Sequence, residues 1–101
     1  MHEDPLREID SELAADVDTL PPFRVLMHND DYTTMDFVVS VLERIFFKTP
    51  SEATEIMLKI HQNGVAICGE YSEQIAESKS SAVHRTARQN GFPLRCSVEQ
   101  A

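Results

Sequence analysis

The segment from Thr49 to Gly64 carries signals for both ends of a helix and so constrains how the rest of the chain is divided. Thr49 can cap the first turn, Pro50 suits the first helical position, and Glu52 can bond back to the cap. Gly64 supplies the stop, because glycine readily adopts the left-handed conformation that ends many helices. The sequence therefore predicts a helix over roughly residues 50–62.

Three short apolar segments outside this helix are typical of strands. FRVLMH at residues 23–28 alternates so that every second side chain lies on the same face. VAICGEY at residues 65–71 is a short apolar run, and LRCSV at residues 94–98 alternates again. We predict a strand in each segment.

Two further helices are predicted. Thr33 followed by Asp36 matches a capping box, and apolar residues then recur at helical spacing, which predicts a helix over about residues 34–47. Ser72 caps a third helix, which ends at residues 90–91. Its predicted inner stripe consists of Ile75, Ala76, Ala82, Val83, Thr86 and Ala87.

The predicted order of elements is strand, helix, helix, strand, helix, strand (βααβαβ). The economical packing is an α+β fold, with one small three-stranded sheet and the three helices packed on one face. The length of 101 residues suits a single domain, and a hydrophobic content of 42% is sufficient for a core.

Residues 1–20 differ in composition from the rest of the chain. They hold seven acidic residues and one arginine, a net charge of −6, whereas residues 21–101 hold ten acidic and eight basic residues, a net charge of −2. With few large apolar side chains and no aromatic, the first segment cannot offset the entropy of ordering. We predict a flexible acidic N-terminal arm at residues 1–20 and a core domain at residues 21–101. Composition fits a solubilising leader and a functional arm equally well.

Charge and hydropathy argue against several classes of partner. A net charge of −8 leaves no large basic footprint for nucleic acid and opposes binding to an acidic bilayer. No apolar run approaches the roughly 20 residues that span a membrane. Cys68 and Cys96 lack CxxC spacing and are predicted to be reduced, buried thiols. We therefore expect a soluble protein without nucleic-acid or membrane binding. We also expect a cytoplasmic monomer without a cofactor.

The turn after the first strand brings together an amide and two adjacent carboxylates, Asn29, Asp30 and Asp31. Attraction to a helix N-terminus explains one acid but not two. His61 lies one helical turn after Met57, at the edge of an apolar helix side, where a partly buried ring is the ordinary interpretation. An amide oxygen, a carboxylate and a neutral imidazole can each accept one N–H, and an ammonium offers three. Asn29, Asp31 and His61 therefore make more sense as acceptors aimed at one cation.

Apolar side chains could line a slot beside these acceptors, although each one taken alone is more often ordinary core. They are Met35, Met57, Val38, Ile60 and Leu94. A metal-dependent hydrolase using Asp30, Asp31 and His61 is an alternative, but no HExxH, paired-cysteine or calcium-loop pattern is present. No nucleophile motif or phosphate-binding glycine loop occurs either. We do not expect an enzyme.

Four segments in order, VLMHNDDYTTMDFVVSVLERIF, MLKIHQNGVAICG, IAESK and GFPLRCSVE, closely resemble the ClpS family. Members of this family are adaptors of the ClpA-containing bacterial protease, and the resemblance covers about residues 21–100. It implies binding of polypeptides whose first residue is Leu, Phe, Tyr or Trp, and delivery of these N-degron substrates to a ClpA-type AAA+ unfoldase. The rival interpretation is a protein–protein interaction module without specificity for the N-terminal residue.

The resemblance also implies roles for individual residues. Asn29, Asp31 and His61 would hold the free α-amino group, with Asp30 assisting. The first side chain would be surrounded by Met35, Val38, Met57 and Leu94, with Ile60 and Thr33 nearby. Unfoldase docking would involve Gln74, Glu77 and Lys79. Thr34 stands where proline is common in the family, which implies a less preorganised helix start without new chemistry, and Gln74 stands where an acidic residue is common.

Overall fold

The signals at Thr49 and Gly64 bound a helix in the computed structural model, which describes residues 22–101. The predicted acidic arm at residues 1–20 lies outside the described residues. In chain order the elements are β1 (Phe23–His28), α1 (Met35–Arg44), α2 (Pro50–Asn63), β2 (Val65–Tyr71), α3 (Glu73–Gln89) and β3 (Arg95–Gln100). The predicted order βααβαβ is confirmed.

Both ends of helix α2 are set by capping interactions between residues that are close together in the chain. The Thr49 hydroxyl accepts a hydrogen bond from the Glu52 backbone N–H at 3.1 Å, and the Glu52 carboxylate accepts one from the Thr49 N–H at 3.0 Å. At the other end Gly64 has φ 87°, a left-handed conformation that glycine adopts without steric cost. The predicted capping box and the predicted stop are both confirmed.

The sheet has β1 in its centre, in the order β2-β1-β3, with antiparallel pairing on both sides. Val25 and Met27 of β1 are fully buried, and Cys68 of β2 and Cys96 of β3 are buried with them. Helix α3 packs against all three strands, so these side chains form the core between the sheet and the helices. The predicted α+β packing with the helices on one face is confirmed.

Both cysteines are free and buried, as predicted. Burial raises the pKa of the Cys96 thiol to about 12. Burial, with a smaller contribution from neighbouring Cys96, raises the pKa of Cys68 well above its ordinary value. Thiols that stay protonated at neutral pH are poor nucleophiles, so these residues act as small core side chains.

The predicted capping box at Thr33 and Asp36 is wrong. The N-cap of α1 is Thr34, whose hydroxyl accepts a hydrogen bond from the backbone N–H of Phe37 at 3.2 Å. The Thr33 hydroxyl instead donates to the Asp30 carboxylate at 2.8 Å, within the loop before α1. Thr34 thus supplies a cap that a proline at this position would lack, contrary to the expectation of no new chemistry.

Helix α1 is shorter than predicted and ends at Arg44 rather than Phe47. Phe47 has φ 55°, outside the range of a right-handed helix. The Lys79 ammonium donates to the carbonyl of Ile45 at 2.7 Å and so satisfies a backbone group that the end of the helix leaves free.

The inner stripe of α3 also differs from the prediction. Ile75 is 50% exposed, whereas Ser80 is buried. Ala76, Ser80, Val83 and Ala87 form the buried face, because residues three or four apart lie above one another on a helix. Ile75 precedes Ala76 by one residue and is therefore rotated by about 100° from it. Ala82 and Thr86 are half-buried at the edge of this face.

None of the helices within residues 22–101 is long and apolar enough to cross a membrane.

Candidate functional site

A cavity of about 410 Å³ lies where the loop between β1 and α1 meets the C-terminal half of α2. Its wall consists of Asn29, Asp30, Asp31, Tyr32, Thr33 and Thr34 from the loop, Met35 and Val38 from α1, and Met57, Ile60 and His61 from α2. The structure therefore brings together all of the predicted α-amino-binding residues and all but one of the predicted pocket residues.

Asp30 builds the loop on one side of the cavity. Its Oδ1 accepts hydrogen bonds from the backbone N–H groups of Tyr32 at 2.8 Å and Thr33 at 2.7 Å, and its Oδ2 accepts one from the Thr33 hydroxyl at 2.8 Å. This turn is one that aspartate forms well. Because all three bonds lie within the loop, the contribution of Asp30 to the cavity is to shape the loop.

The hydrogen bonds to Asp30 also change its acidity. Partial desolvation raises the pKa of this carboxyl, but the bonds from Thr33 and Tyr32 favour the ionised form and together lower the pKa below its ordinary value. A carboxyl with a lowered pKa in the folded state stabilises the fold above its ordinary pKa. That stabilisation is lost as the pH falls through the lowered value.

We expect Asp30→Asn to lower the free energy of unfolding at neutral pH by about 1 kcal/mol, because neutral hydrogen bonds replace charge-assisted ones. The variant should also lose less stability than the wild-type protein between about pH 5 and pH 3, since Asn cannot take up the proton. Denaturant unfolding at several pH values measures both effects. Glu55→Gln, at an exposed site on α2, is the control. Identical acid dependence in the Asp30 variant and the wild type would contradict this account.

A backbone hydrogen bond joins the loop to the end of α2. The N–H of Asn29 donates to the carbonyl of Gly64 at 2.9 Å. His28, the last residue of β1, also pairs with Val65, the first residue of β2. Because Gly64 ends α2, these contacts bring the last turn of that helix, and with it His61, beside the loop.

Asn29, Asp31 and His61 form the polar rim of the cavity. All three are exposed, and within residues 22–101 their side chains make no hydrogen bond to other protein groups. The partly buried ring that is usual for such a histidine is therefore not found. An amide oxygen, a carboxylate and an imidazole nitrogen remain available as acceptors on the wall of one cavity.

The apolar part of the wall has a closed floor and an adjustable mouth. Val38 and Ile60 are 7% and 2% exposed and belong to the core, so they close the bottom of the cavity. Met35 is exposed and Met57 is half-buried. Methionine side chains are flexible and adapt to guests of different shape.

Leu94 is the one predicted pocket residue that the structure does not place on the cavity wall. It is buried in the core just before β3. Tyr32 and Thr34 line the wall but were not predicted. Their position in the same short loop as Asp31 and Thr33 was the available signal, since neighbours in a tight loop share its surroundings.

The predicted docking residues do not share one surface. Gln74 and Glu77 line a shallow depression of about 610 Å³ on the exposed side of α3. Lys79 follows Gln74 by five residues and is therefore rotated by about 140° around the helix. Its ammonium donates to Ile45 and lies 5.8, 4.8 and 5.3 Å from the ring centroids of Phe46, Phe47 and Tyr71. Lys79 thus holds the end of α1 against α3.

The alternative of a metal-dependent hydrolase gains no support from the donor groups. Among the described residues, no group of three or more His, Cys, Asp or Glu side chains is arranged to hold a metal ion. The Asp30 carboxylate, which that alternative requires as a ligand, is occupied by the loop.

Known proteins are similar to this chain in sequence and in fold. The family model described as "ATP-dependent Clp protease adaptor protein ClpS" matches residues 18–97. The ClpS adapter of Nitratidesulfovibrio vulgaris strain Miyazaki F is 53% identical over 93 residues, which cover 90% of this chain and 93% of that protein. The ClpS adapter of Desulfotalea psychrophila is 51% identical over 96 residues, 93% of this chain and 94% of that protein.

A solved structure of a ClpS protein is similar to this chain in fold. Agrobacterium tumefaciens ClpS2 bound to L-phenylalaninamide is similar with a TM-score of 0.78 and 30% identity, and the match covers 80% of this chain and 98% of that one. The chain therefore belongs to the ClpS family of Clp protease adaptors, and it is an adaptor protein rather than an enzyme.

Proposed function

We propose that this adaptor binds polypeptides through a free α-amino group and a bulky hydrophobic first side chain, Leu, Phe, Tyr or Trp, and delivers them to a ClpA-type unfoldase for proteolysis. The observation that carries the proposal is the pairing of three acceptors that are unbonded within residues 22–101, on Asn29, Asp31 and His61, with a cavity whose floor is apolar. An N-terminal residue with an ammonium beside an apolar side chain has the matching chemistry.

The ligand of the related structure supports this proposal. Agrobacterium tumefaciens ClpS2 was solved with L-phenylalaninamide, a molecule with a free α-amino group, an aromatic side chain and an amide in place of the next peptide bond. These are the groups expected at the start of a substrate that begins with Phe.

In the proposed complex, the α-ammonium donates its three hydrogens to Asn29, Asp31 and His61. The Asp31 carboxylate supplies the opposite charge, which strengthens its hydrogen bond. Asp30 assists by holding the loop in place. The first side chain occupies the space between the two methionines, Met35 and Met57, above the closed floor.

The expected affinity is moderate. Burying a Leu or Phe side chain contributes roughly 1.5 to 3 kcal/mol, and each charge-assisted hydrogen bond contributes about 1.5 to 3 kcal/mol. Association itself costs at least about 4 kcal/mol. With three such hydrogen bonds, the upper end of these values corresponds to binding in the micromolar range, which suits an adaptor that must release its substrate.

Delivery is the second half of the proposal. The relatives are adapters of an ATP-dependent protease by name, which supports a protease partner. We propose that this partner is a ClpA-type AAA+ unfoldase and that the adaptor acts as a monomer in the bacterial cytoplasm. We assign the docking contact to the exposed side of α3 around Gln74 and Glu77. Lys79 contributes by holding the end of α1 against that helix.

A screen of all twenty first residues tests the proposal. Unblocked peptides that share every later residue are titrated against the protein. We expect Leu, Phe, Tyr and Trp to bind at least about tenfold more tightly than Ala or Ser, because their side chains bury much more apolar area than those of Ala or Ser. Val and Ile should bind more weakly than Leu, since the resemblance to the ClpS family implies that Met35 helps to exclude side chains branched at the β carbon.

The rival interaction module predicts a different result from the same screen. Such a module would recognise the shared part of the peptide or none of it. Equal affinity for all twenty peptides would therefore favour the module over the proposed N-degron adaptor.

A further inference from the structure

Tyr32 is a largely exposed aromatic residue in the loop that lines the cavity. It lies on the wall of the cavity, yet 78% of its surface is open to solvent. Its backbone is held in place, because its N–H donates to the Asp30 carboxylate at 2.8 Å. The loop thus presents an aromatic ring at the mouth of the cavity on a defined backbone.

The ring has no partner among residues 22–101. The aromatic pairs in this part of the chain are Phe37 with Phe92 and Phe46 with Tyr71, and the Tyr32 hydroxyl makes no hydrogen bond there. An exposed tyrosine contributes little to a core. Tyrosines on ordered backbone are, however, among the most effective contact residues of binding surfaces.

The shape of the cavity determines where a bound chain continues. Val38 and Ile60 close the floor, so a polypeptide whose first side chain fills the cavity can leave only through the mouth. The second Cα lies about 3.8 Å from the first. The second side chain must therefore lie at the rim, where Tyr32 and Met35 are exposed.

We propose that Tyr32 is a specificity-determining residue that contacts the second residue of the bound polypeptide and favours planar side chains there, aromatic rings or the arginine guanidinium, over glycine. Rings pack on the tyrosine face in offset or edge-to-face geometry, and guanidinium groups stack on it. This inference rests on the proposed function and adds a second recognised position to it.

The test uses ligands with and without a second residue. L-Phenylalaninamide and the dipeptide amides Phe-Gly, Phe-Trp and Phe-Arg are titrated against the wild-type chain and against Tyr32→Ala and Tyr32→Phe. We expect the wild type to bind Phe-Trp and Phe-Arg about three- to tenfold more tightly than Phe-Gly. Tyr32→Ala should bring these ratios close to one, whatever its effect on the affinity for L-phenylalaninamide, while Tyr32→Phe should retain the preference for Phe-Trp.

Phe47→Ala is the matched control. Phe47 is 79% exposed, which is close to the 78% of Tyr32, but it does not line the cavity. This variant should leave every affinity unchanged.

The possible failures are distinguishable. A wild-type chain that binds L-phenylalaninamide but does not discriminate between the dipeptides overturns the inference, and so does a Tyr32→Ala variant with wild-type ratios. A wild-type chain that does not bind L-phenylalaninamide overturns the proposed function, and this inference with it.

Discussion

Acetylation of the α-amino group is expected to weaken the binding of a peptide that begins with Leu or Phe by at least about thirtyfold. The acetyl group removes the charge and two of the three N–H donors, and it adds bulk beside Asn29, Asp31 and His61. Two acceptors would then be covered by the ligand without a hydrogen bond, at about 1 to 3 kcal/mol each. A loss of about 2 kcal/mol already corresponds to thirtyfold in affinity.

The measurement is a titration of fluorescently labelled peptide pairs that differ only in the acetyl group. A second pair, in which an internal lysine is acetylated and the α-amino group stays free, controls for loss of charge elsewhere in the ligand. That pair should bind equally well. Equal affinity of the α-acetylated peptide and its free counterpart would falsify the proposed recognition of the N-terminus.

The second large effect is expected from the polar rim itself. Asp31→Ala and His61→Ala should each weaken the binding of a peptide beginning with Leu by about ten- to a hundredfold, since each removes one charge-assisted hydrogen bond. Both residues are exposed, and their side chains make no hydrogen bond within residues 22–101. The thermal midpoint of each variant should therefore stay close to that of the wild type.

The chain offers matched controls for both substitutions. Asp36 carries the same charge at the start of α1, and Gln62 follows His61 in α2; both are exposed and neither lines the cavity. Asp36→Ala and Gln62→Ala should leave the affinity within about twofold of wild type. A folded Asp31 or His61 variant with wild-type affinity would remove that residue from the site. Because both groups are proposed to hold one ammonium, the double variant should lose less than the sum of the single losses.

Much of the local structure could be predicted because its causes lie within a few residues. The reciprocal bonds of Thr49 and Glu52 span one helical turn, and Gly64 ends the helix through its own backbone conformation. The same local reasoning was wrong at Thr33. Two adjacent threonines can each cap a helix; here the N–H and hydroxyl of Thr33 both donate to the Asp30 carboxylate within the loop, and Thr34 is the cap.

The burial and the contacts of individual side chains depended on packing that sequence patterns do not describe. Leu94 alternates with Cys96 as a strand residue should, but its side chain lies in the core rather than on the cavity wall. Ile75 is apolar and lies within α3, yet the buried face is set by which helix side meets the sheet. The Lys79 ammonium contacts groups of β2 and of the turn after α1, which are distant along the chain.

The sequence by itself determined the order of the elements, the ends of α2 and the presence of acceptor groups between β1 and α1. These features arise from backbone preferences and from contacts between near neighbours. The tertiary structure alone decided that His61 stands beside Asn29. That placement depends on the pairing of β1 with β2 and on the bond from the Asn29 N–H to the Gly64 carbonyl. A site for one ammonium needs acceptors from both segments, and only packing between residues far apart in the chain can bring them together.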